Sequence, residues 1–291
     1  MNQVENLGWH LLCRVMPKTA VKIQYKLILG GGKLDLKNPQ DLNEKINYLK
    51  FHADLDEWAR LADKYAVREY VIERGLSEIL VPLYGKYDTP EELIADWKGV
   101  PRSLVVKANH GCGEVKIVKD KNAVDLNGMR TRAAAWLKDR YGLGTNERHY
   151  LKIKPCLIVE QLLEEPGRIA PTDYKVWCFN GKPYCILVIS DRDEEHHTRH
   201  RSMYDLNWNR IPDALPHDDT YSEEDLAKPK NLDKMLEYAA ILSKGHKQVR
   251  MDFYNIEGKI YFGEMTFTAS GGYNMYNKKM LLELGRQFEV E

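Results

Sequence analysis

The chain has 291 residues, enough for two domains or one large domain, and its 43% hydrophobic content argues against a disordered or fibrous protein. Its 43 basic and 43 acidic residues balance, so no overall charge attracts nucleic acid, and an anionic ligand needs a local cluster. Five cysteines without a CxxC pair argue against a disulfide framework and a zinc module, and they favour a reducing cytoplasm.

Residues 1–75 are predicted to be helical, because apolar residues recur at spacings of three and four in "LNEKINYLKFH" and "EWARLADKYAVREYVIERG". Gly75 is a suitable C-terminal stop. The first thirty residues hold two short apolar patches, but Lys22 and Lys26 interrupt the second, so neither a signal peptide nor a spanning helix is predicted. Their basic amphipathic character leaves open a peripheral contact of an N-terminal helix with the inner face of a membrane or with a partner.

Strand and helix patterns alternate after residue 78, which indicates an α/β or α+β protein. The strand patterns are "ILVPLYGKY", "SLVVKANH", "VKIVKD" and "KPCLIVEQLL", and the helix patterns are "TPEELIADW", "LNGMRTRAAAWLKDRYG" and "LDKMLEYAAILSKG". Asn180-Gly181 predicts a hairpin in "DYKVWCFNGKPYCILVIS", and "QVRMDFYNIEGKIYFGEMTF" predicts a second one that turns near Glu257-Gly258. Residues 191–230 lack regular periodicity.

The stretch "VKANHGCGEVKIVKD" follows a predicted strand that ends at Lys107. It is not a Walker A motif, since Glu114 rather than lysine follows Gly113. Its glycines would let backbone amides approach a polyphosphate, and a glycine-softened hairpin with solvated lysines is the alternative. A zinc site is not predicted, because His110 and Cys112 lack two further ligands nearby.

The C-terminal hairpin alternates Arg250 with Asp252 on one strand and Glu264 with Thr266 on the next. A period of two points each pair to one sheet face, where two facing carboxylates and an arginine suit magnesium and phosphate. A cross-strand salt bridge between Arg250 and Glu264 is the alternative interpretation.

Two other stretches offer binding groups. Ser270 and Gly271, in "ASGGY", would present a hydroxyl and backbone amides to a carboxylate or an oxyanion, unless the stretch is an ordinary loop. Glu160 ends a strand, where it would accept from an adenine amine or from ribose hydroxyls, unless it is a solvated strand end.

The chain resembles the ATP-grasp superfamily, and most closely its TupA-like (teichuronopeptide-biosynthesis) branch. The matching stretches occur in order between residues 61 and 272: "LADKYAVREYV", "LVVKANHGCGEVKIVKD", "KPCLIVEQLL", "DYKVWCFNGKPY", "MYDLNWN" and "VRMDFYNIEGKIYFGEMTFTASGG". The resemblance implies an α+β fold in which two α+β subdomains sandwich a nucleotide. It divides the chain into a helical N-terminal region (1–75), a small subdomain with the glycine loop (76–165) and a C-terminal subdomain with a magnesium-binding hairpin (166–291).

The resemblance also implies ATP and Mg²⁺ as cofactors and assigns the phosphate contacts. Lys107 would contact the α and β phosphates, with Gly111 and Gly113 in the loop that closes over them. Arg68 would reach the phosphates from the N-terminal side, and Lys175 would face the β and γ phosphates.

Further roles follow from the same resemblance. Glu160 would accept from the adenine amine, Gln161 to Leu163 would line the base, and Glu164 or Glu165 would lie near the ribose. Asp252 and Glu264 match the two magnesium ligands, and Arg250 matches an arginine that stabilises the transferring phosphoryl group. Thr266 stands where many members have asparagine, so its coordination of the metal stays open.

The implied activity is that of a carboxylate–amine ligase, which forms a C–N bond through an acyl phosphate. The branch implies bacterial capsular or cell-wall polysaccharide biosynthesis, with a sugar acid or glycan acceptor and an amine or amino acid as partners. The alternatives are phosphoryl transfer to a sugar hydroxyl, a glycosyltransferase, and a non-catalytic nucleotide-binding scaffold at a membrane assembly. The oligomeric state stays open.

The stretch "SDRDEEHHTRHRSMYDLNWNR" is the candidate for acceptor binding, although a solvated surface loop is an equal alternative. Arg192 and Arg199 are its candidate substrate ligands, and Arg201 is a catalytic candidate beside Arg250 and Lys175. The stretch also includes His196 and His197, for which a structural metal is disfavoured.

Overall fold

Two antiparallel sheets form the framework of the protein. The structure, a computed structural model, describes residues 3–193, 198–218, 220–222 and 224–290. The small sheet has the order β1-β4-β2-β3, and its strands are β1 (Leu83–Tyr87), β2 (Leu104–Ala108), β3 (Val115–Val118) and β4 (Leu157–Glu160). The large sheet has the order β7-β6-β5-β8-β9, and its strands are β5 (Asp173–Phe179), β6 (Lys182–Asp193), β7 (Thr198–Tyr204), β8 (Gln248–Ile256) and β9 (Lys259–Thr266).

Helices precede the small sheet and cover both sheets. Those of the N-terminal region are α1 (Gln3–Val15), α2 (Pro17–Ile28), α3 (Leu42–His52), α4 (Leu55–Ala62) and α5 (Val67–Glu73). The later ones are α6 (Pro90–Ala95), α7 (Leu126–Lys138), α8 (Leu232–Ser243) and α9 (Lys278–Gly285). Among the described residues, no helix combines the length and apolarity needed to cross a membrane.

Local sequence signals explain where several elements begin and turn. Asp41 starts α3 with a reciprocal capping box to Glu44, and Thr89 caps α6 by accepting from the backbone of Glu92. Asn180 and Gly181 both have positive φ, of 50° and 74°, as a two-residue hairpin turn requires. The helix and hairpin predictions at these positions are therefore confirmed.

Each sheet has its own apolar core. Leu93 of α6 and Met129 of α7 pack against Val106 and Val159 of the small sheet. In the large sheet α8 covers β5, β6 and β8, and helices α3, α4 and α5 contribute to the same core. Trp58 of α4, for example, stacks on Phe267 with ring centroids 4.9 Å apart. The helical N-terminal region thus shares a core with the C-terminal part of the chain.

Strand β7 lies within residues 191–230, which were expected to be irregular. It pairs with β6, where Arg201 lies opposite Ile189 and Met203 lies opposite Leu187. It is an edge strand whose first residues are polar and exposed, so its sequence lacks the apolar alternation that identifies a half-buried strand. The expectation of irregular structure is wrong for Thr198–Tyr204.

Candidate active site

The hairpin β8–β9 places its four predicted site residues on one sheet face. Asp252 lies directly opposite Glu264, and Arg250 lies opposite Thr266. The register shifts immediately afterwards, and Gly263 is the extra residue of the resulting bulge. A Cβ on Gly263 would lie 2.9 Å from the backbone oxygen of Asp252, so only glycine fits this approach.

Asp252 is the centre of a buried ion cluster. Its Oδ1 accepts from Arg250 Nε at 2.7 Å, and its Oδ2 accepts from Arg250 Nη2 at 2.7 Å and from Lys175 Nζ at 2.5 Å. The residue is only 3% exposed. Burial alone would raise the pKa of Asp252, but Arg250 and Lys175 outweigh it and hold the pKa below its usual range.

Glu264 is the more accessible of the two hairpin acids, with 38% of its side chain exposed. Its Oε1 accepts from the Thr266 hydroxyl at 3.2 Å, and Thr266 in turn accepts from Arg250 Nη2 at 3.3 Å. Arg250 and Glu264 are 3.8 Å apart, so the alternative cross-strand salt bridge is secondary to the pair of Arg250 with Asp252.

A second ion cluster joins the small sheet to α5. Glu160 accepts from Arg68 Nη1 at 3.1 Å and from Lys107 Nζ at 2.9 Å. The structure therefore joins three residues that the sequence assigned to the nucleotide. Glu160 is only 6% exposed, so the alternative of a solvated strand end is wrong.

The glycine loop between β2 and β3 follows Lys107 of the second cluster. Lys64 Nζ donates to the carbonyl of Gly111, and Gly113 has a φ of 93°, which favours glycine. The Cys112 side chain is exposed, yet desolvation by the protein around it is the main cause that raises the pKa of its thiol. The nearby Glu264 carboxylate raises this pKa further, while Lys64 and Lys175 oppose the increase. These interactions place the loop beside the β8–β9 hairpin.

A large cavity, of about 1270 Å³, opens between β3, the start of α7 and the connector that follows β4. Leu163, Glu164, Glu165 and Arg192 are among its lining residues. The backbone N–H of Gln161 donates to Pro82 at 2.9 Å, so this amide already has a partner.

The arginines that the sequence assigned to acceptor binding or catalysis do not share one set of contacts. Arg192 donates to Asp173, which also lies 3.6 Å from Lys175, so Arg192 extends the ion cluster of Asp252. Arg201 pairs instead with Asp218 at 2.7 Å, and Arg199 is exposed near the start of β7. The predictions for His196 and His197 lie outside the described residues.

The profile of the protein family described as "TupA-like ATPgrasp" matches residues 44–289. The chain belongs to the TupA-like ATP-grasp family. Its two antiparallel sheets and flanking helices are accordingly an α+β ATP-grasp fold, as the sequence predicted.

Several solved ATP-grasp structures are similar to this chain at low identity. The ATP-grasp ligase PsnB complexed with its minimal precursor is 14% identical (TM-score 0.42; 79% of this chain and 59% of that chain covered). The D-alanine–D-alanine ligase from Helicobacter pylori is 15% identical (TM-score 0.46; 87% and 69% covered). That from Bacillus anthracis complexed with ATP is 17% identical (TM-score 0.42; 78% and 66% covered).

The chain spans only about half to three fifths of the length of the PsnB and N5-carboxyaminoimidazole ribonucleotide synthetase structures that it matches. A comparison with curated proteins returned no match.

The hairpin of this ATP-grasp chain fits magnesium by its chemistry, because magnesium prefers carboxylate oxygens. Asp252 already accepts three hydrogen bonds, so roughly one of its four lone-pair positions is left for a metal ion. The Glu264 side chain is more exposed to solvent. Within the described ranges no third His, Cys, Asp or Glu side chain completes a metal-binding group with them. The Thr266 hydroxyl orients Glu264, and its own contact with metal remains a prediction.

Sequence reasoning missed a buried lysine behind the Ser270-Gly271 turn. Both turn residues have positive φ, of 52° and 62°, and Lys50 Nζ donates to the Gly271 carbonyl at 2.5 Å and to the Thr145 carbonyl at 2.9 Å. Burial lowers the pKa of Lys50 to about 8, and the nearby Glu147 partly opposes this. Polar Asn43, Asn47 and Lys50 recur at helical spacing on the buried side of α3, and this spacing was the available signal for the burial of Lys50, although not for its partner.

Proposed function

We propose that the protein is an ATP- and magnesium-dependent carboxylate–amine ligase of bacterial surface polysaccharide biosynthesis. The observation that carries the proposal is the pairing of Asp252 with Glu264 across β8–β9, beside Arg250 and Lys175. Membership of the TupA-like family supports the polysaccharide role. The free cysteines are compatible with a reducing cytoplasm.

The cationic groups would bind and orient the phosphates of ATP. Lys107 and Arg68 pair with Glu160, which lies on the small sheet. Lys175 and Arg250 pair with Asp252, which lies on the large sheet. A polyphosphate entering between the sheets would compete for these four cations, and the glycine loop would close over it. Glu160, once released, would be available to accept from the adenine amine.

Magnesium would be held by Glu264 and Asp252, and it would neutralise charge on the phosphates during transfer. Thr266 keeps the Glu264 carboxylate oriented through its hydroxyl. Arg250 stays protonated, because the buried Asp252 raises its pKa far above the ordinary value despite the cost of desolvation. It would therefore offer a permanent positive charge to the transferring phosphoryl group.

In the proposed reaction a carboxylate oxygen of a sugar acid attacks the γ-phosphorus and ADP leaves. An amine then attacks the carbonyl carbon of the acyl phosphate, loses a proton and expels inorganic phosphate. The protein's contributions are positioning and charge stabilisation, so no nucleophilic side chain is required. Arg192 and the turn at Ser270 and Gly271 would contact the acceptor.

The binding test compares two glutamates of the same hairpin. Glu264→Gln should lose the magnesium-dependent part of ATP-analogue affinity, measured by calorimetry with magnesium and with EDTA. Glu257→Gln, at the exposed turn, should bind like the unmodified protein. Glu264 is a better probe than Asp252, because neutralising Asp252 also leaves the buried Arg250 without its main partner. Absence of nucleotide binding by the unmodified protein would refute the proposal.

The reaction test supplies ATP, magnesium, pooled uronic acids and pooled amines. A ligase releases ADP and phosphate in equal amounts and forms an amide detectable by mass. ADP release with a phosphorylated sugar and no free phosphate would indicate a kinase instead. Consumption of a nucleotide sugar without ATP would indicate a glycosyltransferase, and ATP binding without turnover would indicate a scaffold.

A further inference from the structure

The two N-terminal helices present a large apolar surface that the rest of the described chain leaves uncovered. Five exposed apolar residues lie on them, with Leu11 and Val15 one turn apart on α1, Met16 between the helices, and Ile23 and Leu27 one turn apart on α2. We refer to these five residues as the N-terminal apolar face. Leu27 is 74% exposed and Val15 is 68% exposed, so these side chains are largely in water. Clustered exposed apolar residues of this kind typically mark a contact surface.

Specific contacts hold the two helices on the protein, so the apolar face is a fixed feature. The indole of Trp9 donates to the carbonyl of Gly144 at 2.8 Å. On α2, Val21 and Tyr25 pack against Leu34 and Tyr273. The outward orientation of Ile23 and Leu27 follows, because they lie on the side of α2 opposite this buried contact.

A row of lysines borders the apolar face. Lys18, Lys22 and Lys26 follow one another at intervals of four, which aligns them along one side of α2. Residues 6–34 contain five basic residues, the three lysines together with Arg14 and Lys33, and no aspartate or glutamate, although the whole chain is electrically balanced. The flanking acids are Glu5 in α1 and Asp35, whose carboxylate lies near Lys22. Positive charge is therefore concentrated at the helices that carry the apolar face, which begin before the family match at residue 44.

The chemistry of this surface favours an anionic lipid bilayer over a protein partner. Protein interfaces are depleted of lysine and enriched in aromatic residues, whereas this surface combines aliphatic side chains with lysines. Neither α1, of 13 residues, nor α2, of 12 residues, is long enough to span a bilayer, so each would lie in the plane of the membrane. Lysines beside the aliphatic residues would then contact lipid phosphates.

We propose that α1 and α2 dock the protein on an anionic membrane surface, with the N-terminal apolar face inserted among the lipids and Lys22 and Lys26 at the headgroups. This docking is independent of the proposed ligase reaction, since none of these residues belongs to the two ion clusters. It would hold the enzyme at the surface where bacterial surface polysaccharides are assembled.

The test measures co-sedimentation of the full chain with vesicles of phosphatidylglycerol and phosphatidylcholine, and with vesicles of phosphatidylcholine alone. Binding is expected only to the mixed vesicles, and it should weaken at high salt. Replacing Lys22 and Lys26 together by glutamine should reduce partitioning about 30-fold, since each basic residue near an anionic surface contributes about five-fold. Ile23→Ser combined with Leu27→Ser should reduce it at least about ten-fold.

Matched variants control for the loss of charge and of apolar surface. Lys98→Gln with Lys182→Gln removes two exposed lysines elsewhere, and Ile72→Ser with Met275→Ser removes two exposed apolar residues elsewhere. Both pairs should sediment like the unmodified chain, and all variants should keep its circular dichroism spectrum.

The proposal is overturned if the unmodified chain binds neither vesicle, or if the control pairs lose as much binding as the α2 pairs. A dimer in solution that Ile23→Ser with Leu27→Ser dissociates, without vesicle binding, would instead identify the face as a self-association surface. Retained nucleotide binding in the α2 variants would separate failed docking from failure of the proposed ligase.

Discussion

Lys175 and Asp252 are paired on adjacent strands of the large sheet, with Lys175 Nζ 2.5 Å from Asp252 Oδ2. Asp252 is buried and Lys175 is partly buried, and Arg250 holds the same carboxylate from its own strand. The positive charges of Lys175 and Arg250 are therefore balanced mainly by the single buried carboxylate of Asp252. Loss of any one of the three charges should affect both the fold and the phosphate site.

The first prediction concerns the stability of this cluster. Asp252→Asn should lower the free energy of unfolding by about 3 kcal/mol, because Arg250 and Lys175 lose their nearest counter-charge and keep only the more distant Glu264 and Asp173. A double-mutant cycle with Lys175→Met should give a coupling energy of about 1–3 kcal/mol in urea unfolding. The matched pair is Glu57 with Arg60 on the surface of α4, where Glu57→Gln and Arg60→Met should couple by less than about 1 kcal/mol. Equal coupling energies for the Asp252–Lys175 pair and the Glu57–Arg60 pair would contradict the assignment of Asp252 as the centre of a buried ion cluster.

The second prediction concerns the bulge at Gly263. Gly263→Ala brings a methyl group to 2.9 Å from the backbone oxygen of Asp252, so the strands must separate. We expect a loss of about 1–3 kcal/mol of unfolding free energy and weaker magnesium-dependent nucleotide binding. Gly8→Ala in α1 is the control, since no atom of the described chain lies within 4 Å of the place its methyl group would take, and alanine favours a helix. An unchanged affinity for nucleotide in Gly263→Ala would argue against the hairpin as the metal site.

The third prediction concerns Lys107 at the end of β2. Lys107→Met should weaken ATP-analogue binding at least ten-fold, about 1.4 kcal/mol, because a phosphate contact is lost. Stability should change less, since Arg68 continues to pair with Glu160. Lys98→Met, at an exposed position between α6 and β2, is the matched control for calorimetry. Identical affinities for the two variants would remove Lys107 from the proposed site.

The fourth prediction concerns the buried Lys50. Its pKa in the folded protein is about 8 against an ordinary value of 10.5, so between these values the unfolded chain binds more protons than the folded one. Stability should therefore rise with pH in this window, because protonation favours the unfolded state.

For Lys50 the rise should be about 2 kcal/mol between pH 7.5 and 9.5, if the lysine alone is considered. Subtracting the urea-unfolding curve of Lys50→Met from that of the unmodified protein isolates this contribution. Parallel curves for the two proteins over this range would show that Lys50 does not titrate as the structure implies.

Only part of the candidate site could be predicted from the sequence, and the two ion clusters show the reason. Alternation along single strands placed Arg250 with Asp252 and Glu264 with Thr266, and the register confirms that they share a face. The contacts of Glu160 with Arg68 and Lys107 span 92 and 53 residues, and no local pattern reports such distances. Similarly, Lys50 reaches Gly271 across 221 residues, so its position in α3 indicated burial but not its partner.

The sequence by itself determined the elements whose signals are local: the capped helices, the Asn180-Gly181 hairpin, the glycine loop and the acidic hairpin, together with their order along the chain. The tertiary structure decided which charges meet, because that depends on how two sheets and the intervening chain fold together. It also decided that α3, α4 and α5 share the core of the large sheet and that residues 198–204 form an edge strand. Edge strands and long-range ion pairs owe their stability to neighbours distant in sequence, and only the folded chain brings those neighbours together.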